Sequence, residues 1–321
     1  MIACLLNCQN PKEPSMTAAC YTRQLVCPPY AARRTCFVHI FSVGTVVVKR
    51  MKLIFVSAGI ACLSCLPLCA DEATVIEFFK ARGDSVAVDN HGHAVRLMAR
   101  GAPPLSVQQL QRIGELIHLT DVGINMSPAN DSQWGFLARL PDLKRLKIWH
   151  GHHFRSLSAF NGLPVEELTI GGCMGLIRLH ESDPDKAQHI ITTLNDLPKL
   201  KKLVLYHSPL APDDAHLEHL VKSFPAVTSL RLDFIAPGRG KSRITARGLA
   251  RLQHLPLTKL TIENADTFSQ EDLAVLATLG TLKQLEVYTA KGSKTSEGEY
   301  RALLLRFQML RPEVKVSYVN R

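Results

Sequence analysis

Histidine is the first side chain to weigh, because His150, His152 and His153 stand almost together and His207 holds the place equivalent to His150 in a later segment. Neutral imidazole ligates zinc-class ions, but a site needs three or four converging donors, and no acidic or thiol partner can be assigned from spacing. These residues therefore read as a solvated loop, with a metal-dependent enzyme built on His150, His152 and His153 as the alternative. A second grouping, GRGKS over 238–242, has the Gly-Lys-Ser ending of a phosphate-binding loop. The glycine required at its start is Ile235, and Pro237 removes a backbone donor from the place where phosphate would be cradled. It reads as a basic surface loop. Cys173 stands alone in the last 251 residues and reads as a small core residue rather than a nucleophile. No Ser/His/Asp arrangement and no paired-carboxylate spacing rises above chance. The expectation is a non-enzymatic protein with no cofactor.

What must position any functional surface is a recurring stretch. LPDLKRLKIW, from Leu140 to Trp149, returns as LPVEELTIGG from Leu163, LPKLKKLVLY from Leu197, FPAVTSLRLD from Phe224, LPLTKLTIEN from Leu255 and LGTLKQLEVY from Leu279, with a looser copy over 115–125. Each carries an L-x-[LIV] strand core: Val122/Ile124, Leu146/Ile148, Leu168/Ile170, Leu203/Leu205, Leu230/Leu232, Leu260/Ile262 and Leu285/Val287. A self-similarity of 20 to 50 residues is the mark of a solenoid. Helical spacing fills the intervals over 106–116, 132–140, 185–197, 213–224, 245–255 and 269–279, whereas 156–163 is long enough only for a turn or a 3₁₀ piece.

The spacing L-x-x-L-x-L or L-x-x-L-x-I in LKRLKI, LKKLVL, VTSLRL and LKQLEV resembles the leucine-rich repeat family, over roughly residues 95–319. The resemblance implies an α/β fold: a right-handed solenoid with a concave parallel β-sheet and convex helices. Where that family often has an asparagine ladder, this chain has Ser127, Gly151, Cys173, Ser208, Ile235, Ala265 and Ala290. Small residues in helix-bearing repeats look like the bacterial, exported members.

Residues between the strand leucines point away from the core, because side chains alternate along a strand. They form three columns across the repeats. Asp121, Arg145, Glu167, Lys202, Ser229, Lys259 and Gln284 make the first; Gly123, Lys147, Thr169, Val204, Arg231, Thr261 and Glu286 the second; Asn125, Trp149, Gly171, Tyr206, Asp233, Glu263 and Tyr288 the third. Exposed aromatics beside Arg and Lys are favoured in binding hot spots, which selects Arg145, Lys147, Trp149, Lys202, Tyr206, Arg231 and Tyr288 as the binding surface. The expected function is recognition of a protein or an envelope polymer on the concave face. A structural component of an envelope assembly, recognised through its ends or convex helices, is the alternative.

The flanks have their own logic. Basic Lys49 to Lys52, an apolar run from Leu53 to Leu68, then Cys69-Ala70 and Asp71-Glu72 have the layout of a secretory signal peptide over 51–70, cut after Ala70. An uncleaved anchor through 53–69 is the alternative, although a largely apolar run of 16 residues falls short of the ~20 that span a bilayer. Residues 1–50 match no repeat and read as an upstream extension before the true start at Met51. The expected location is exported, periplasmic or secreted, with no stable membrane span after cleavage.

Charge follows the same division. Of 38 basic and 28 acidic residues, seven and one precede Asp71, leaving 31 against 27, a net of +4. So modest a charge argues against a nucleic-acid partner, and none is expected. Eight of nine cysteines also precede Asp71, so no intramolecular disulfide is expected beyond it. Helix-like 71–84 and an alternating hairpin around Asp89 to Gly92 make an N-terminal cap over 71–104. The repeats occupy 105–295. A helix over 296–310 and a strand over 314–319 close the array as a cap over 296–321.

Overall fold

The L-x-[LIV] cores form strands, and the leucines of each stack on those of the next. In a computed structural model of the chain, the described residues are 71–125, 129–173, 190–208, 210, 213–233, 244–263, 269–289 and 297–320. They fall within one compact unit. The upstream extension, the signal segment and GRGKS all lie outside these residues.

Ten strands make one sheet in strict sequence order. They are β1 (Ser85–Val88), β2 (Ala94–Ala99), β3 (Asp121–Asn125), β4 (Arg145–Trp149), β5 (Glu167–Gly171), β6 (Lys202–Tyr206), β7 (Ser229–Asp233), β8 (Lys259–Glu263), β9 (Gln284–Thr289) and β10 (Lys315–Asn320). β1 and β2 are the antiparallel hairpin expected around Asp89, and every later neighbour is parallel. β2 starts the parallel ladder by pairing Leu97 with Val122 and Ala99 with Ile124. Most parallel seams hold four to six residue pairs, but β6 and β7 share three, ending at Val204 with Arg231.

The helical face is more varied than periodicity suggests. True α-helices are α1 (Glu72–Ala81), α2 (Val107–Ile113), α3 (Asp214–Ser223), α4 (Ala246–Ala250), α5 (Gln270–Ala277) and α6 (Glu297–Leu310). Side-chain caps explain several starts: Ser106 and Ser269 close capping boxes, and Asp213 accepts from the amides of Ala215 and His216.

Elsewhere the expected helices tighten. Residues 132–140 form a 3₁₀ segment, Asp131–Arg139, because three aromatics crowd that layer: Trp134 lies with ring centroids 5.6 Å from both Phe154 and Phe160. Of the helix expected over 185–197, the described part holds only the 3₁₀ turn Ile191–Thr193. There Thr193 spends its hydroxyl on the Ile190 carbonyl (2.6 Å) and the Leu157 amide (2.7 Å), competing with a helical ladder. After α4 the chain finishes as 3₁₀ Arg251–His254. The expected short piece within 156–163 is 3₁₀ Ser158–Phe160.

The core runs the length of the sheet between strands and helices. Every strand leucine, isoleucine and valine in the seven repeated cores is at most 2 % exposed, and full burial contributes ~1.5–3 kcal/mol for each. Cys173 belongs to this core as a free thiol. Burial pushes it up to about 11, which keeps it protonated and unreactive at neutral pH. On α6, by contrast, Leu305, Met309 and Leu310 remain exposed. No helix of the described residues is long and apolar enough to cross a membrane.

Candidate functional site

The three columns read from the sequence are the three rows of the sheet's open face. Asp121, Arg145, Glu167, Lys202, Ser229, Lys259 and Gln284 align strand to strand, as do the seven residues of the second column. In the third column Asn125, Trp149, Gly171 and Tyr206 pair in one run, and Asp233, Glu263 and Tyr288 in another. The break falls at the short seam between β6 and β7.

Each expected binding residue lies on this face, in very different company. Arg145 donates through Nε to Asp121 (3.0 Å), which Arg96 also approaches at 3.5 Å. Lys202 reaches Glu167 at 2.9 Å and Lys259 reaches Glu286 at 2.8 Å. The first column therefore spends most of its charge internally, and such half-exposed pairs add little stability. Lys147 has no ion-pair partner among the described residues.

The aromatics lie down on glycines. A Cβ on Gly123 would come within 2.5 Å of the Met98 sulfur and 2.9 Å of the Trp149 ring, and a Cβ on Gly171 would come within 2.1 Å of the Tyr206 ring. Only glycine admits those rings to the strand beneath. Trp149 is further covered by Arg100, whose guanidinium carbon is 4.7 Å from the ring centroid. Arg231 sits between two tyrosines, 5.0 Å from the Tyr206 centroid and 5.5 Å from that of Tyr288. Its guanidinium also donates to Glu263. Burial foremost raises the Tyr206 hydroxyl above its ordinary value, with Arg231 opposing and Glu263 assisting.

Beyond the third column the chain must leave the sheet, and it does so with positive φ at His150 (54°), Gly172 (65°) and His207 (46°). His150 Nδ1 donates to Asn125 Oδ1 at 2.7 Å. His152 is held below its ordinary value, first by burial and then by His150 and His153. His150, His152 and His153 do not bring three ligand atoms together. Among the described residues two other groups do, each with donor atoms within 4.8 Å of one another: His207, Asp233 and Glu263 on this face, and Glu72, His93 and His118 beside the hairpin. Sequence reading places Glu263 and Glu286 in the outward columns without selecting them for the site, and it misses Arg100 as a part of the face. Alternation of sign along the first column, Asp121 to Arg145 and Glu167 to Lys202, was the available signal for such pairing.

Architecture and core together define an α/β fold of stacked strand repeats, ten strands in sequence order with buried leucine ladders behind them. No protein-family model matches the chain, and no curated protein matches it. Among solved structures it is similar to the leucine-rich repeat-containing protein LegL7 from Legionella pneumophila, at 15% identity and a TM-score of 0.44, over 78% of this chain and 88% of that one.

Proposed function

We propose that the chain is a non-enzymatic recognition module whose open sheet face binds a protein or an envelope polymer. The observation that carries this reading is the aromatic-cationic cluster: Arg231 between Tyr206 and Tyr288, with Trp149 two strands before β6, all partly exposed on a rigid sheet. Large rings with few rotatable bonds, held by glycines, lose little entropy on binding. Arg145, Lys147 and Lys202 form the polar surround.

This reading includes export. A signal peptide over 51–70 is cut after Ala70, residues 1–50 precede the true start, and the mature protein is periplasmic or secreted. Its cap spans 71–104, its repeats 105–295 and its closing cap 296–321, with the open face concave in a right-handed array. Support for these statements is the order of charge, apolarity and repeat spacing along the chain.

The test is affinity capture from an envelope extract of the native cell with the wild-type protein and the Trp149→Ala/Tyr206→Ala double variant. Partners held by the wild type should be lost by the variant, and the native protein should begin at Asp71 on N-terminal sequencing. Partners retained by a folded variant would instead favour recognition through the ends or helices.

A further inference from the structure

We propose that Glu72, His93 and His118 form a binding site for a divalent transition-metal ion of the zinc class. The three come from separate elements. Glu72 opens α1, His93 directly precedes β2, and His118 lies between α2 and β3. Their ligand atoms all stand within 4.8 Å of one another.

The backbone around them is fixed by other bonds. Glu72 Oε1 accepts the Ala94 amide at 2.8 Å while Oε2 accepts from His93 Nδ1 at 2.8 Å. Thr120 ties the segment carrying His118 to β2, its amide and hydroxyl both donating to the Val95 carbonyl at 2.9 and 3.0 Å. The two imidazoles consequently lie with centroids 4.1 Å apart and planes tilted by 38°. Two imidazole rings brought so close, beside a carboxylate, are a donor set for borderline ions, whereas Mg²⁺ and Ca²⁺ take oxygen. All three residues are partly exposed, so an ion can enter and water can complete its shell.

The rival group, His207, Asp233 and Glu263, is less suited, because the Arg231 guanidinium already occupies Glu263. At the hairpin no Lys or Arg pairs with Glu72 among the described residues; its ion-pair partner is His93. An ion there ties α1 and the hairpin to the first repeat. Because it needs all three elements in place, it binds the folded chain alone and raises the unfolding temperature with its concentration.

The experiment is zinc binding by the full chain, with thiols first alkylated because eight cysteines precede residue 71. Equilibrium dialysis and thermal unfolding are compared for the wild type, His118→Phe and Glu72→Gln. His118→Phe keeps the ring contact and removes the donor. The wild type should hold one more zinc per chain than His118→Phe and should melt higher with rising zinc, a shift that Mg²⁺ does not give. Glu72→Gln should weaken zinc binding, because a neutral amide replaces the carboxylate ligand. Equal stoichiometry and equal thermal shifts in the wild type and a folded His118→Phe would overturn the proposal, as would a shift that Mg²⁺ reproduces.

Discussion

At the scale of single residues, the open face is a surface whose charges are mostly answered within it. Glu286 illustrates the balance. Burial works to raise its carboxyl, but bonds from Lys259 Nζ (2.8 Å) and Thr261 Oγ1 (3.0 Å) outweigh that, and the group sits below its ordinary value of 4.5. A carboxyl lowered on folding contributes stability above its unfolded value and loses it as pH falls through the folded one. Melting temperature should therefore decline on acidification below about pH 4.5. Glu286→Gln should be less stable at pH 7 and should show a shallower decline, measured by circular dichroism. An identical pH profile in the variant would remove Glu286 from this role. The ion pairs of the first column follow from sign alternation once the strands are aligned. The Glu72–His93–His118 group does not, since His93 and His118 stand 21 and 46 residues beyond Glu72, and only the fold brings them together.

At the scale of elements, strands were legible and helices less so. Alternation with a leucine anchor fixes which residue faces inward, and a slip of one place would put every leucine in water. That is why all three columns emerged in register. The opposite side obeys no such constraint. Whether a segment winds as α or 3₁₀ depends on how much volume its neighbours need, and in Asp131–Arg139 the demand comes from Phe154 and Phe160, on a later turn of the chain. Leu203 tests the ladder directly. It is 1 % exposed between Leu168 and Leu230, and Leu203→Ala should cost ~2–5 kcal/mol in a denaturant titration. A loss below 1 kcal/mol would be inconsistent with that packing.

At the scale of the whole molecule, each repeat is supported only by its neighbours, so the ends bear disproportionate weight. Arg311, just after α6, donates to the carbonyls of Ala277 and Leu279 at 2.8 and 2.9 Å, and β10 pairs with all six residues of β9. Removing residues 296–321 should expose β9 as a new edge, lower the melting temperature and promote association, read by light scattering. A truncated chain that melts and stays monomeric like the full one would show the closing elements to be dispensable.

The short seam between β6 and β7 is the least extensive strand pairing among the described residues. With three paired residues instead of the usual five, it divides a six-strand block from a four-strand block. Arg231 reaches across this line from β7 onto the Tyr206 ring of β6, as a rivet spans a joint. A ligand that engages that guanidinium therefore touches both blocks at the seam with the fewest paired residues among the described strands.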